Sequence, residues 1–411
     1  MADFRMDDRQ AILRRLTERN RAAALPREFY RGQAEYQLDL EAFWYRDWLF
    51  VAHDCELPGA GSFLTVQIGD YPILMVRDRE GQIRAFHNSC RHRGSRICSA
   101  ERGTVPRLVC PYHQWTYRLD GSLLGARDME ESFPRDQHGL KPVHCESVGG
   151  FIWVCLSEPP PDFARLRELV EPYLLPHDLG NAKVAFESTI IERANWKLVW
   201  ENNRECYHCT ANHPALCRTF PSTPTVRGPA EAAANPRMRQ KWEQWESAGL
   251  PSRFQLSASG QSRITRMPLL EGAVSYTLDG TAAVGRPLSD KVASGSGDVG
   301  ALLMFHYPST WNHVLGDHAI SFRLLPISPT ETQLTTKWLV HRDAEPGVDY
   351  DLQRLTEVWL ATNDEDRRVC QENQLGVNSP AYSPAGYSPL QEAGVMQFVD
   401  WYSSSVVSRL G

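Results

Sequence analysis

Residues 90–113 read CRHRGSRICSAERGTVPRLVCPYH, and the spacing of their donors decides how the front of the chain folds. Two mixed pairs stand there: Cys90 with His92 as C-x-H, and Cys110 with His113 as C-x-x-H. A finger-type zinc site pairs Cys with Cys and His with His, which this pattern does not do. A [2Fe–2S] centre with two thiolates on one iron and two imidazoles on the other needs this inventory, one Cys and one His from each of two loops. Imidazole in place of thiolate lowers the negative charge beside one iron and raises the reduction potential. Gly94 and Gly103 permit tight backbone near the sulfides, and Pro111 fixes its own φ in the second loop. Cys98 fits neither pair and reads as a buried structural thiol.

Outward from this stretch the chain reads as short strands. SFLTVQIG, YPILMVRD and GQIRAFHN are β-rich and broken by Gly and Asp, and Asp120-Gly121 in HQWTYRLDGSLLG marks a hairpin. GGFIWVCLSEPPP closes the region with a strand and a run of prolines. The texture then changes. FARLRELVEPYL reads as a helix, KVAFESTIIERANWKLVWENN passes from strand to helix, and SFRLLPISPTETQLTTKWLVHRD reads as a hairpin. VDYDLQRLTEVWLATNDEDRRVCQENQLG reads as a long amphipathic helix ended by Gly376, and an N-terminal helix is expected from Asp8 to Arg21. Stretches 221–237 and 278–299, rich in Pro, Gly and small residues, read as loops, the second a candidate gate. The expected organisation is α+β: residues 1–40 a helical segment packing on the catalytic domain, 41–160 an all-β [2Fe–2S] domain, and 161–411 an α+β domain with a helix-covered antiparallel sheet.

Composition narrows the function. A net charge of −6 gives no reason to expect nucleic acid, and no apolar run is long enough to span a membrane. The N-terminus carries no apolar export signal, so the expectation is a cytoplasmic protein whose ten cysteines serve metal sites before disulfides.

A cluster moves electrons without saying what they are for. NWKLVWENNRECYHCTANHP, residues 195–214, supplies the destination. Glu205 and His208 are placed on one helical face, and His213 can meet His208 on one ion only if the helix ends or loosens between them. Two His and one carboxylate with open positions form the facial triad of non-haem Fe(II) oxygenases, which leaves room for O2 and substrate. The carboxylate is expected from TNDEDRRVCQENQLG, where Asp366 is preferred to Asp364 on the other side of the helix.

These motifs resemble the Rieske non-haem iron oxygenases over most of the chain, from about residue 40 to Tyr402. Asn195–Lys197, Glu201–Asn202, Glu205–His208, His213–Pro214 and Asp366 match the catalytic-domain pattern, whereas Gln114 replaces a glycine common after the second cluster histidine. Ring-hydroxylating members place Asp where Glu205 stands. That Glu, with CPYHQWTY and RMPLLEGAVSYTLDG, resembles the branch acting on quaternary ammonium compounds. The resemblance implies a homotrimer with a Rieske [2Fe–2S] cluster and a mononuclear Fe(II), using O2. It also implies electrons from a separate flavin and iron–sulfur reductase that takes NAD(P)H. Glu205 would then bridge His113 and His208 between subunits. The implied reaction is N-demethylation of glycine betaine or proline betaine, releasing formaldehyde. A cation without hydrogen-bonding capacity is held by aromatic faces, and Trp311 and His313 are candidate pocket residues, with Phe305, Tyr307 and Tyr276 in the same half of the chain. An aromatic-ring dioxygenase, a pure Rieske electron carrier and a zinc-stabilised binding module are the competing expectations.

Overall fold

The computed structural model describes residues 6–222, 228–293 and 298–411. Two compact units emerge. One comprises Trp44–Phe163 with Leu179–Asn181, and the other takes the described residues up to Phe43 with Ala164–Asp178 and those of 182–411.

The Trp44–Phe163 unit is built on strands β1 (Leu49–His53), β2 (Ser62–Ile68), β3 (Tyr71–Arg77), β4 (Ile83–His87), β5 (Arg102–Thr104), β6 (Leu108–Val109), β7 (Thr116–Tyr117), β8 (Leu123–Gly125), β9 (Pro142–Val148) and β10 (Phe151–Cys155). A seven-stranded sheet runs β1-β10-β9-β4-β3-β2-β5, and β6-β7-β8 form a small second sheet. These strands pair antiparallel, so neighbours in the chain need only short turns. Asp120-Gly121 makes the β7–β8 turn, with Gly121 at φ 86°. Phe63, Leu74, Phe86, Leu108, Trp115 and Tyr117 share one buried core with Cys90 and Cys110. Two of the expected cluster ligands are therefore part of the packing itself.

The larger unit contains α1 (Met6–Glu18), α2 (Gln33–Asp39), α3 (Ala164–Leu174), β11 (Ala182–Glu192), α4 (Trp196–Asn203), α5 (Cys209–Asn212), α6 (Pro229–Ala234), α7 (Pro236–Ser247), β12 (Gln255–Leu256), β13 (Ser262–Met267), α8 (Asp290–Ala293), β14 (Ala301–His306), β15 (Thr310–Val314), β16 (Ala319–Ser328), β17 (Glu331–His341), α9 (Leu352–Asn378) and α10 (Ala393–Leu410). Its antiparallel sheet runs β11-β17-β16-β15-β14-β13-β12. Every residue of β14 and β15 is buried, which requires cover on both faces of the sheet centre. On one face that cover is α9, whose Trp359 packs 5.0 Å from Phe322 and 4.7 Å from His313 between ring centroids.

Several boundaries depart from expectation. α1 stops at Glu18, not Arg21, because Asn20 turns the chain, its side-chain oxygen accepting from the Ala22 N–H at 3.0 Å. α9 runs through Gly376 to Asn378. The stop is the residue before Pro380, which disfavours helical backbone at Ser379. Residues 221–237 are not all loop: Pro229 and Pro236 begin α6 and α7, where a missing N–H costs nothing. Residues 223–227 and 294–297 lie outside the described residues, so a gating role for 278–299 falls partly there.

What fixes α4 is a buried polar knot. Asn195 caps the helix by accepting from the Lys197 N–H at 3.0 Å, while its own N–H donates to Gln374 Oε1 of α9 at 2.8 Å. Lys197 is ion-paired with Asp39 of α2, and both are fully buried. Asp39 also accepts from Trp196 Nε1 at 2.9 Å and the Tyr402 hydroxyl at 2.7 Å. A buried pair survives only when its other hydrogen bonds are met, and removing one member typically costs about 3–5 kcal/mol. Trp196 and Trp200 are fully buried, each contributing about 2–3 kcal/mol of apolar transfer. The N-W-K motif is thus a positioning device for the residues that follow it.

Candidate metal centres

Two loops carry the Cys/His pairs, and they close alike. The Gly94 N–H donates to the Cys90 carbonyl at 2.9 Å, and the Gln114 N–H to the Cys110 carbonyl at 3.0 Å. Both closing residues sit in the left-handed region, Gly94 at φ 77° and Gln114 at φ 61°. The loops bring His92 Nδ1 and His113 Nδ1 to 3.2 Å, as two donors to one ion require. Cys90 and Cys110 are buried at the other end. Burial pushes the Cys90 thiol up, and the Tyr117 hydroxyl 3.3 Å away opposes it only in part, so thiolate there calls for metal charge nearby. His92 lies flat on Trp115, centroids 4.8 Å apart, which fixes its ring. The donor set fits a [2Fe–2S] cluster with histidines outward. Cys98 packs beside this core with its thiol pushed to about 11 by burial, and is no part of either pair.

The second constellation forms after α4. Contrary to expectation, Glu205 and His208 do not share a helical face, because α4 ends at Asn203. They meet across a turn instead. Glu205 Oε2 accepts from the backbone N–H groups of Tyr207 and His208, and Oε1 lies 2.6 Å from His208 Nδ1. The chain then makes the single turn α5, with His208 before it and His213 after it, so the two rings converge. His208 Nε2 and His213 Nε2 are 2.9 Å apart. Asp366 Oδ1, from α9, lies 3.2 Å from the first and 3.0 Å from the second. Ligands about 2.1 Å from a metal at right angles stand about 3.0 Å apart, whereas tetrahedral ligands stand about 3.4 Å apart. The triangle fits the facial geometry, which leaves the opposite face of the ion open. Burial would raise the Asp366 carboxyl, but the two imidazoles hold it below its ordinary value, so it offers an anionic donor. Asp364 points away and pairs with Arg367 at the surface.

Glu365 was not singled out by sequence. Its Oε2 lies 2.8 Å from His213 Nδ1, the partner an imidazole ligand needs on its far nitrogen. The signal was available: His208 has Glu205, and the second histidine wanted an equivalent. The cysteine expectation also needs correcting, since Cys206 and Cys209 form a disulfide across the turn, their Cα atoms 4.9 Å apart. Cys209 sulfur lies within 4.8 Å of the His208 and His213 donors, but bonded to Cys206 it is no thiolate ligand.

A cavity of about 470 Å³ opens on this triad, a size usual for a small-molecule site. Trp311, His313 and Phe305 line it, as do Trp359, Phe220 and Arg263. Tyr276 and Tyr307 do not line it. Tyr276 stands behind His313, its hydroxyl 2.9 Å from Nδ1. Burial, then Arg263, drops the His313 imidazole to about 3, leaving a neutral ring that does not repel a cation.

The chain is similar to known proteins over both units. Residues 179–407 match the model of the ring hydroxylating alpha subunit catalytic domain, and residues 47–142 that of the Rieske [2Fe–2S] domain. The chain belongs to the ring-hydroxylating alpha-subunit family. It is an oxygenase of Rieske type, with a [2Fe–2S] cluster, a mononuclear iron and electrons from a separate reductase. It is 47% identical over 405 residues to the glycine betaine monooxygenase oxygenase subunit of Pseudomonas aeruginosa strain UCBPP-PA14, covering 98% of this chain and 94% of that one. The Chromohalobacter salexigens protein of that name is also 47% identical, over 409 residues, covering 98% and 90%. The carnitine monooxygenase oxygenase subunit of Escherichia coli K12 is 34% identical over 205 residues, 47% of this chain and 53% of that one. Among solved structures, a quaternary ammonium Rieske monooxygenase bound to gamma-butyrobetaine shares the family fold at TM-score 0.71 and 20% identity, covering 96% and 98%. Naphthalene 1,2-dioxygenase from Rhodococcus does so at 0.71 and 17%, covering 98% and 99%. No helix among the described residues is long and apolar enough to cross a membrane.

Proposed function

We propose that this chain is the terminal oxygenase of a two-component system that N-demethylates glycine betaine in the cytoplasm. The observation that carries the reading is the facial triangle of His208, His213 and Asp366 opening on a cavity with aromatic walls. Near-full-length identity to two glycine betaine monooxygenase oxygenase subunits supports the substrate. When bound, the metals supply O2 activation: with two reductase-derived electrons and two protons, one oxygen atom enters a methyl C–H bond and the other leaves as water. The resulting hydroxymethyl ammonium loses formaldehyde and a proton, leaving dimethylglycine.

The chain's own residues do the rest. His208, His213 and Asp366 hold the mononuclear iron, and Cys90, His92, Cys110 and His113 hold the cluster. Trp311 and its aromatic neighbours offer ring faces to a trimethylammonium group, which no hydrogen bond can hold. Glu205 fixes the far nitrogen of His208 and, in a homotrimer, receives the neighbouring subunit's cluster histidine on its outer side. Both ends of that route carry an uncovered aromatic, which suits an interface: Tyr112 beside His113 is 57% exposed, and Tyr207 beside Glu205 is 62% exposed.

Turnover with a surrogate reductase, NADH and a panel of quaternary amines tests the reading. Formaldehyde and dimethylglycine in equal amounts from glycine betaine are expected. A cis-diol from an aromatic substrate, with no formaldehyde from any quaternary amine, would overturn it.

A further inference from the structure

Two arginines enter the same cavity without a counter-ion. Arg204 follows directly after α4, and Arg263 lies on β13; both line the cavity wall. Their guanidinium carbons flank the ring of Phe305, 4.3 and 4.9 Å from its centroid. The Nε atom of each is buried with no hydrogen-bond partner. Arg204 is only 5% exposed, and its side chain meets a neutral group, the Tyr307 hydroxyl. No carboxylate among the described residues forms an ion pair with either.

A buried cation without a partner costs several kcal/mol, so folded chains almost always pair it. Two near each other add repulsion. Burial, reinforced by Arg204, lowers the Arg263 guanidinium to about 9. The aromatic wall cannot offset this alone, since Phe305 is shared by both cations and Phe254 adds only a more distant ring to Arg263, 5.8 Å from its centroid, and no ring carries a full negative charge. A ligand that relieves both charges is an anion, and a planar carboxylate matches the guanidinium fork.

We propose that Arg204 and Arg263 form the carboxylate subsite of the cavity. This rests on the quaternary-ammonium reading above and deepens it, because a zwitterion then binds in one sense only. The carboxylate goes to the arginines, which repel the trimethylammonium group. That end is left to the aromatic faces, on the side of the cavity where the triad lies. A methyl group is thereby presented to the metal by charge, without any hydrogen bond to the ammonium. A substrate with the ammonium alone lacks this orientation, and a neutral aromatic hydrocarbon gives two buried arginines nothing to hold.

The test compares glycine betaine with ethyltrimethylammonium, which replaces the carboxylate by a methyl group, in wild type, Arg263→Gln, Arg263→Lys and Arg204→Gln. Losing one charged hydrogen-bonding partner is expected to raise the KM for glycine betaine about 10- to 100-fold. The ratio of kcat/KM values for the two substrates should fall toward one, with partial recovery in Arg263→Lys. A second readout needs no turnover: the dissociation constants of glycine betaine, dimethylglycine and propionate, by calorimetry on the holoenzyme. Weakened binding of all three in Arg263→Gln supports the subsite even if no quaternary amine is oxidised, an outcome that would sink only the functional reading. Unchanged carboxylate binding in both glutamine variants overturns the proposal, and so does an equal loss on both substrates with carboxylate binding intact.

Discussion

Glu365 Oε2 stands 2.8 Å from Nδ1 of His213, on the side of the ring opposite the nitrogen that faces His208 and Asp366. The contact fixes the tautomer. With Nδ1–H donated to the carboxylate, Nε2 keeps its lone pair toward the metal position, and the ring cannot turn without breaking a charge-assisted bond.

Glu365→Ala is therefore expected to weaken mononuclear iron binding about 10- to 100-fold while leaving the cluster untouched. Iron titration of the apo triad, followed beside the visible spectrum of the cluster, measures both. Glu365→Gln should lie between the two, because an amide oxygen still accepts from Nδ1–H but without charge. Wild-type affinity in the alanine variant would show that the orientation of His213 is set elsewhere.

Neighbouring acids on α9 should behave in opposite ways. Asp366 completes the triangle, whereas Asp364 pairs with Arg367 at the surface. Asp366→Ala is expected to lower bound iron from about three to about two per chain. Asp364→Ala should leave the metal content as it is and change stability by less than about 0.5 kcal/mol. Metal analysis with acid-labile sulfide separates the two outcomes.

How much of this was readable beforehand follows from the length scale of each interaction. The Cys90–His113 donors were legible because cluster ligation is written in local spacing, and the β7–β8 hairpin because Asp-Gly states its own turn. Pocket lining by Trp311 and His313 was nameable, but the arginines were not, since Arg204 and Arg263 meet only once β13 and α4 are in place. Helical periodicity gave the wrong geometry for Glu205 and His208: the contact was right, but a turn makes it. The prolines of 221–237 misled for a related reason, since Pro breaks a helix interior yet starts a helix equally well.

Gln114 stands in the left-handed region at φ 61°, where glycine is the residue favoured on steric grounds. A non-glycine residue there costs roughly 1 kcal/mol, which glycine avoids while losing part of the gain to a freer unfolded chain. Gln114→Gly should thus change stability by less than about 1 kcal/mol and keep the cluster. Gln114→Val, with a branched Cβ in the left-handed region, should open the loop and lower cluster occupancy. Absorbance of the purified variants reads occupancy directly, and full occupancy in the valine variant would mean that the Cys110 loop does not depend on this backbone bond.

Glu201 connects the pH dependence of stability to the helix that carries the site. It lies on α4, is half-buried, and accepts hydrogen bonds from the hydroxyls of Tyr30 at 2.7 Å and Tyr387 at 2.9 Å. Burial dominates and raises its carboxyl from 4.5 to about 7; the two phenols oppose the rise without cancelling it. The folded state therefore holds a proton that the unfolded chain has already released between those values. Folding stability contributed by this group is complete below about pH 4.5 and is lost as the pH rises toward about 7, at up to roughly 1.4 kcal/mol per pH unit, with no further change above. Glu201→Gln cannot titrate, yet its amide oxygen still accepts from one tyrosine. Denaturant midpoints taken across that window should fall for the wild type relative to the glutamine variant and then run parallel at higher pH. Curves already parallel from pH 4.5 upward would place the Glu201 proton elsewhere in the network of Tyr30, Tyr382 and Tyr387, and would remove α4 as the pH-sensitive support of His208.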